Sequence, residues 1–282
     1  MNKMQGVFRV TRYQLIQMLR NPRLYMIVIC NFIFLSTIAV SLRGLLEAHQ
    51  LKATPFLFCF LFAHASVIFC FLAGIVVLFS NAPFFGRSQM FLLIRTGKLS
   101  WAAGQILYLI AGSALYFSFL YVMSLLFLFP HISFENQWGS VWNTLARTDI
   151  GLDYGINLAV SSDILNIFTP AELLGWTLLM GVLNSLLLGL VLFFCNIFSR
   201  REVGIIIAMI LILAPYRLSF MPTFVHYIVT AAWIDPIYLL YDPTYQGPDA
   251  VQQILILSSL ILVLLAGCIY GILYKDLPEV EE

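Results

Sequence analysis

The sequence predicts an all-α integral membrane protein with six transmembrane helices and with both termini on the cytoplasmic side. Three observations support this fold class. Hydrophobic residues make up 61% of the 282 residues and charged residues only 10%, whereas soluble domains average about 25% charged residues. Six apolar segments approach or exceed the roughly 20 residues that a helix needs to cross a bilayer. Lysine and arginine are concentrated in alternate connections between these segments.

Residues 1–22 are predicted to form an amphipathic helix that lies in the membrane interface. Apolar residues recur at helical spacing from Met4 to Leu19, and Arg9, Arg12 and Arg20 are interspersed with them. Such a composition favours a helix whose apolar side enters the lipid and whose basic side chains reach the headgroups. The alternative is an ordinary positively charged flank of the first span.

The six spans are defined by apolar runs and by prolines at their ends. The fifth run is the shortest and only marginally long enough. The runs cover residues 25–42, 56–80, 102–129, 171–198, 203–214 and 251–274. A proline costs least at a helix end, where its missing N–H has no helical partner to lose. The prolines at or beside the span ends are Pro22, Pro55, Pro83, Pro130, Pro170 and Pro215.

The orientation follows from the distribution of basic residues, which favour the cytoplasmic side. With the N-terminus inside, the inner segments contain Lys3, Arg9, Arg12, Arg20, Arg23, Arg87, Arg95, Lys98, Arg200, Arg201 and Lys275. The outer segments contain only Arg43, Lys52, Arg147 and Arg217. The sequence therefore predicts that the N-terminus and the C-terminus are both cytoplasmic.

Two long connections are predicted on the outer side. Residues 131–170 form a large extracellular loop, and residues 217–250 form an extracellular segment. Within the latter, residues 223–240 are moderately apolar but contain Asp235 and Pro236, which predicts short re-entrant or interfacial helices. A seventh span over the same residues is the alternative, and it would place the acidic C-terminal tail outside.

The cytoplasmic connection 81–101 is unusually apolar for a loop that meets only water. It contains a run with helical potential, 87–94, in which Met90, Phe91 and Ile94 are apolar. Trp101 anchors the start of the next span at the interface. The connection either rests on the membrane or docks into a partner, and the sequence alone does not decide between these two possibilities.

Several kinds of chemistry lack their sequence motifs. A phosphate-binding loop requires Ser or Thr after its Gly-Lys pair, but Leu99 follows Gly97-Lys98. His64 is an isolated ionisable residue in a span, more typical of structure than of a proton relay. Asn184 and Ser185 could line a substrate path or form hydrogen bonds between helices. We predict no catalytic residue, cofactor or metal site in this chain.

The layout resembles the permease subunits of ABC exporters of the type-2 family. The motifs that support the resemblance are the segment 20–25 (RNPRLY) after the interfacial helix and the connection that runs from 83–85 (PFF) to 95–98 (RTGK) and Trp101. The resemblance covers nearly the whole chain. It implies that the interfacial helix and this connection, acting as a coupling helix, contact a separate ATP-binding subunit. The implied contacts are Arg87, Met90, Phe91 and Arg95.

The resemblance also implies the partners and the function. We expect a P-loop ATPase subunit that binds ATP and magnesium, a second permease subunit that is identical or homologous, a bacterial plasma membrane and no nucleic acid. The predicted function is outward movement of an amphipathic peptide, lipid or drug-like substrate. Two alternatives remain open: a membrane-embedded enzyme that uses Asp149, Asp153 and Asp163 in the outer loop, and a non-transporting scaffold or sensor subunit.

Overall fold

The computed structural model describes residues 3–84, 87–156, 158–240 and 247–274, without the side chains of 3, 87–90 and 219. The α-helices are α1 (Lys3–Arg20), α2 (Pro22–His49), α3 (Leu57–Leu61), α4 (Ala65–Phe79), α5 (Arg87–Thr96), α6 (Lys98–Leu128), α7 (Gly139–Arg147), α8 (Ile150–Asp153), α9 (Ser162–Ile167), α10 (Pro170–Phe198), α11 (Arg201–Leu213), α12 (Thr223–His226) and α13 (Ala250–Tyr274). The 3₁₀ helices are η1 (Ala214–Phe220), η2 (Thr230–Ile234) and η3 (Pro236–Leu239). The described residues contain no strand, only an isolated parallel bridge between Ala53 and Ile132.

Among the described helices, α2, α6, α10 and α13 are long and apolar enough to cross a membrane. Their outward faces are apolar: Ile29 and Phe32 on α2 and Leu262 and Val263 on α13 are each more than half exposed. Apolar faces of this extent are unfavourable in water and require a lipid environment. The chain is therefore an all-α, multi-pass membrane protein.

The predicted boundaries agree to within one residue for α10 and α13, whereas α2 extends seven residues beyond its predicted end and α6 begins four residues earlier than predicted. Pro22 and Pro170 each occupy the first turn of a helix, α2 and α10, where proline is tolerated. The Asn21 side chain accepts a hydrogen bond from the backbone N–H of Arg23 at 3.0 Å and so caps α2. Thr169 and Glu172 form a capping box at the start of α10.

The second apolar run, residues 56–80, does not form the single helix that the sequence predicts. It is divided into α3 and α4 by a turn at residues 62–64. All five residues of α3 are buried, with at most 1% of each exposed, because the segment that follows α6 covers them. A short helix that is apolar on every side therefore lies in the protein core instead of facing lipid.

The centre of the bundle is the antiparallel contact between α6 and α10. A Cβ built on Gly181 of α10 would overlap the ring of Phe117 on α6, and one built on Gly189 would lie 3.3 Å from Leu109. The ring of Phe79 at the end of α4 fits between the two helices, close to both Gly112 and Gly189. Glycines at these positions allow the three helices to approach closely.

A buried polar contact joins α2, α4 and α6. Asn31 Nδ2 on α2 donates to Tyr116 Oη on α6 at 2.8 Å, and Tyr116 Oη donates to the carbonyl oxygen of Phe71 on α4 at 2.9 Å. Asn31 and Tyr116 are both buried. Hydrogen bonds of this kind hold helices together in an environment that offers no water as an alternative partner.

Replacing Tyr116 with phenylalanine is expected to lower the free energy of unfolding by about 1–2 kcal/mol, because the buried Asn31 amide loses its acceptor. Thermal unfolding in a mild detergent would measure the loss. The matched control is Tyr121→Phe on the same helix, since the Tyr121 side chain forms ring contacts and no hydrogen bond in the described structure. Equal effects of the two substitutions would contradict the role assigned to Tyr116.

One end of the bundle, named here the capped end, is covered by two segments. Trp138 and Trp142, in the connection between α6 and α10, pack against Phe60 of α3 with ring centroids 5.4 and 5.1 Å apart. Trp142 Nε1 donates to Thr54 Oγ1 at 2.9 Å, and Trp138 Nε1 donates to the Phe168 carbonyl at 2.9 Å. The connection is thus a folded cap whose helices α7, α8 and α9 are fixed to the bundle.

The second covering segment is the chain from η1 to η3. Every residue of η2 is buried, and η2 packs against α4, α10, α11 and α13. Trp233 Nε1 donates to the His226 carbonyl at 3.1 Å. The longest helix between residues 214 and 240 has seven residues, far fewer than a crossing needs. The segment therefore consists of short helices, as the sequence predicts, and contains no seventh span.

The opposite end is named here the basic end: it contains α5, the start of α6 and the turn between α10 and α11. Lys98 begins α6, and Arg200 and Arg201 lie at the turn. The antiparallel register of α6 and α10 brings these residues to the same level of the bundle. Both the predicted coupling connection and the N-terminal helix meet the bundle from this end.

Candidate functional site

The exposed face of α5 at the basic end is the strongest candidate for a contact surface. Phe91 and Ile94 are 75% and 80% exposed, and Arg95 beside them is also exposed. Their spacing of three and four residues places them on one side of the helix. Of the residues predicted to contact an ATP-binding subunit, the structure thus brings Phe91 and Arg95 together. The side chains of Arg87 and Met90 lie outside the described residues.

The other side of α5 is fixed to the bundle. Leu92 and Leu93 pack against the core, and the methyl-bearing Thr96 side chain contacts Gly6 of α1. The chain then turns sharply at Gly97, whose φ of +83° is unfavourable for other residues. The Gly97 N–H donates to the Leu93 carbonyl at 2.9 Å. The buried side of α5 is thus in contact with α1 and with α6.

The N-terminal helix α1 packs lengthwise along the first half of α6. Thr11 Oγ1 donates to the Gly104 carbonyl at 3.0 Å, and a Cβ built on Gly104 would lie 2.6 Å from the Cβ of Val10. Met18 contacts Gly112 two turns further along. The sequence did not reveal this packing, because the buried side of α1 combines apolar Val10 and Met18 with polar Thr11 and Gln14.

The outer face of α1 is both apolar and basic. Met4, Phe8 and Leu19 are each at least 58% exposed, and the predicted headgroup residues Arg9, Arg12 and Arg20 are exposed as well. An exposed face of this composition is typical of a helix at a membrane surface. Its position in the membrane interface stays a prediction.

Asn184 and Ser185, the predicted path residues, are buried at 1% and 0% exposure. Asn184 Nδ2 donates to the Met180 carbonyl of its own helix at 3.0 Å. Ser185 lies midway between Gly181 and Gly189 of α10, at the level of Ser113 of α6. The hydroxyl groups of Ser185 and Ser113 are both buried, and neither has a hydrogen-bond partner. Both residues of α10 are buried in the bundle, and their role in a substrate path stays a prediction.

Gly267 and Gly271 of α13 also pack within the chain. A Cβ on Gly267 would lie 2.8 Å from the Phe194 ring, and one on Gly271 would lie 2.8 Å from the Phe198 ring. Both phenylalanines belong to α10. The glycine pair is therefore the close contact between two helices of one chain.

A cavity of about 190 Å³ lies at the capped end between α3, α9 and the start of η3. Its lining is mainly apolar and includes Phe60, Val160 and Ile164 together with one carboxyl group, that of Asp235. Asp235 Oδ1 accepts the N–H of Ile237 at 3.0 Å and so caps η3. Burial raises the pKa of the Asp235 carboxyl from 3.8 to about 7, against the smaller lowering effect of that hydrogen bond.

The raised pKa predicts that the capped end loses stability as the pH rises from about 4 to about 7. The folded chain binds a proton at Asp235 that the unfolded chain has released, so each step in pH across this range favours unfolding. The slope for one group reaches at most about 1.4 kcal/mol per pH unit. Asp235→Asn keeps the cap and should remove this slope, whereas Asp163→Asn, at an exposed carboxylate, should not. Unfolding temperatures between pH 5 and 8 would measure both.

The outer carboxylates do not form a recognisable catalytic group. Asp149 and Asp153 are exposed at the two ends of α8, and Asp163 is exposed in the first turn of α9. Within the described ranges, no group of three or more His, Cys, Asp or Glu side chains could hold a metal ion. Their arrangement favours neither general acid–base chemistry nor metal binding.

Sequence reasoning missed one cluster at the basic end. Arg23, at the start of α2, and Arg201, at the start of α11, both donate to the hydroxyl of Ser80 after α4. Asn196 of α10 donates through Nδ2 to the carbonyls of Ser80 and Ala82. Four helices therefore meet at one serine. Only the concentration of arginine on this side could have indicated it.

No known protein family, curated protein or solved structure matches this chain. The resemblance to type-2 exporter permeases thus rests on the sequence motifs quoted above.

Proposed function

We propose that this chain is the membrane-spanning permease subunit of an ATP-driven exporter, with α5 as the contact for a separate ATP-binding subunit. The observation that supports the proposal best is the exposed face formed by Phe91, Ile94 and Arg95. An aromatic and an aliphatic side chain beside an arginine are typical of the centre of a protein–protein contact. Two apolar side chains this exposed would be costly without a partner or lipid.

In this proposal the chain crosses the plasma membrane six times with both termini inside. Helices α4 and α11 are the second and fifth spans, and α3 and η1 extend them towards the capped end. The working unit contains two permease subunits and two ATPase subunits, and the ATPase binds ATP and magnesium. The substrate is an amphipathic peptide, lipid or drug-like molecule, since the described spans contain no Asp or Glu in their central turns to select a small cation.

The packing contacts beside α5 suggest how the ATPase would act on the spans. Residue Phe84, before α5, packs edge-to-face on Tyr108 of α6, with ring centroids 5.1 Å apart. Tyr108 in turn packs on Phe79, 5.8 Å away, and Phe79 lies between α6 and α10. Movement of α5 would therefore reach the central α6–α10 contact through three aromatic rings, those of Phe84, Tyr108 and Phe79. Two alternative packings of this contact would give the inward-open and outward-open states.

The test is co-purification of the tagged chain from its native membrane in a detergent shown to preserve such complexes. We expect a P-loop ATPase to be recovered with the wild-type chain and lost with Phe91→Asp combined with Ile94→Asp. Each anchor is worth about 2 kcal/mol in a typical contact, or about thirtyfold in affinity, so losing both should weaken binding several hundredfold, on the order of 500-fold.

Phe134→Asp is the matched control, because Phe134 is 79% exposed but belongs to the capped end. It should retain the ATPase. Recovery of wild-type chain without any ATPase would refute the proposal and favour the enzyme or scaffold alternatives. If the double variant retained the ATPase, the permease function would still stand, but α5 would not be the contact with the ATPase.

A further inference from the structure

Two arginines from different helices share a single hydroxyl at the basic end. Arg23 Nη1 donates to Ser80 Oγ at 3.1 Å, and Arg201 Nη2 donates to the same oxygen at 3.4 Å. Ser80 Oγ donates in turn to the Val77 carbonyl at 3.0 Å. A serine hydroxyl has one hydrogen to donate and two lone pairs to accept with. These three bonds therefore fill its capacity.

Among the residues that the structure describes, no carboxylate pairs with the positive charge at this point. A guanidinium has five N–H groups, and each arginine uses one of them on Ser80. Glu202 follows Arg201 in the sequence, but its side chain is exposed, and the single ion pair within the described ranges joins Arg43 to Glu47 instead. Two cations beside one neutral oxygen repel each other, so an anion between them would be strongly stabilised.

The surrounding backbone adds to the positive potential. Helices α2 and α11 both begin here, at Pro22 and Arg201. The start of a helix carries a partial positive charge, which favours an anion. Helix α4 packs against both α2 and α11, so Ser80 at its end lies between these two cationic helix starts.

Exposed apolar side chains follow the arginines on both helices. Met26 and Ile29 on α2 and Ile206 on α11 lie one to two turns beyond the arginines, and each is more than half exposed. A free phosphate ion would gain nothing from such a surface, whereas acyl chains would cover it. We propose that Arg23 and Arg201 bind the phosphate of an anionic phospholipid whose acyl chains lie along α2 and α11.

The experiment measures retention of phosphatidylglycerol by the full-length chain, using native mass spectrometry after mild delipidation. Bidentate charge-assisted bonds favour arginine over other donors. We expect Arg23→Gln combined with Arg201→Gln to weaken apparent affinity at least about tenfold, and the two lysine replacements at these positions to weaken it less. The matched control, Lys98→Gln combined with Arg200→Gln, removes two exposed charges from the same end and should change affinity less than about twofold.

The wild-type chain supplies a second measurement that does not depend on how the variants fold. Phosphatidylglycerol should raise its unfolding temperature more than phosphatidylcholine or millimolar inorganic phosphate does. Equal protection by inorganic phosphate would overturn the lipid assignment in favour of a free anion. If the glutamine double variant and the control lost phosphatidylglycerol equally, the lipid would be bound by the overall surface charge of this end, and the specific site at Arg23 and Arg201 would be refuted. If the glutamine double variant were destabilised equally with and without lipid, the two arginines would only stabilise the end of α4 through Ser80, and the lipid site would be refuted.

Discussion

Replacing Gly181 with leucine is expected to abolish recovery of folded protein. The Phe117 ring occupies the space next to the Gly181 Cα, and Phe117 itself is fully buried. A leucine there would force α6 and α10 apart along the contact on which Phe79, Leu109 and Ser113 also depend. Overpacking of this severity should cost about 3 kcal/mol or more. Size-exclusion profiles and unfolding temperatures in mild detergent would measure it.

The same helix offers a matched control, Gly175→Leu. A Cβ at Gly175 would meet nothing within 4 Å, so this substitution should be neutral or slightly stabilising. A second control combines Gly181→Leu with Phe117→Ala, which removes the clashing ring and should restore part of the folded protein. If Gly181→Leu behaved like Gly175→Leu, the close α6–α10 packing described above would be wrong.

Replacing Trp142 with alanine is expected to detach the folded cap from α3. Trp142 is fully buried, stacks near Phe60 and donates its indole N–H to Thr54. Removing a side chain of this size from a core costs about 3–5 kcal/mol. Because the cap also covers all of α3, limited proteolysis should cut the connection between α6 and α10 earlier in the variant than in the wild type.

Trp142→Phe separates the packing of the ring from the hydrogen bond. Phenylalanine retains most of the contact with Phe60 but leaves Thr54 without its donor, so a loss of about 1–2 kcal/mol is expected. The surface control is Phe134→Ala, which removes an exposed aromatic side chain at the same end. A cap that resisted proteolysis equally in wild type and Trp142→Ala would show that Trp138 and Phe168 hold it without Trp142.

The long spans were predictable because two local signals coincide. Apolar runs predicted α10 and α13 to within one residue at each end and located α2 and α6, and prolines such as Pro22 and Pro170 marked where helices begin. Both signals act within one helix and require no knowledge of its neighbours. The same reasoning failed at residues 62–64, because nothing local distinguishes an apolar run that faces lipid from one that is covered by a cap.

The candidate sites were predictable only in part. The apolar composition of the connection 81–101 indicated an exposed contact helix, and α5 has that exposed face at Phe91 and Ile94. Its role in binding an ATPase stays a prediction. The pairing of Arg23 with Arg201 was not predictable, since it depends on α4 bringing Ser80 between helices that are distant in sequence. No periodicity in either helix marks such a contact.

The packing of α1 along α6 has a consequence for biosynthesis. Thr11 and Gly104 lie 93 residues apart in the chain, so α1 is made long before the surface that receives it. At typical translation rates of 5–20 residues per second, the delay is roughly 5 to 20 seconds. During this interval the ribosome-bound chain holds Val10 without the Gly104 surface against which it packs. We therefore expect nascent α1, with its apolar and basic face, to rest on the bilayer surface until α6 has entered the membrane.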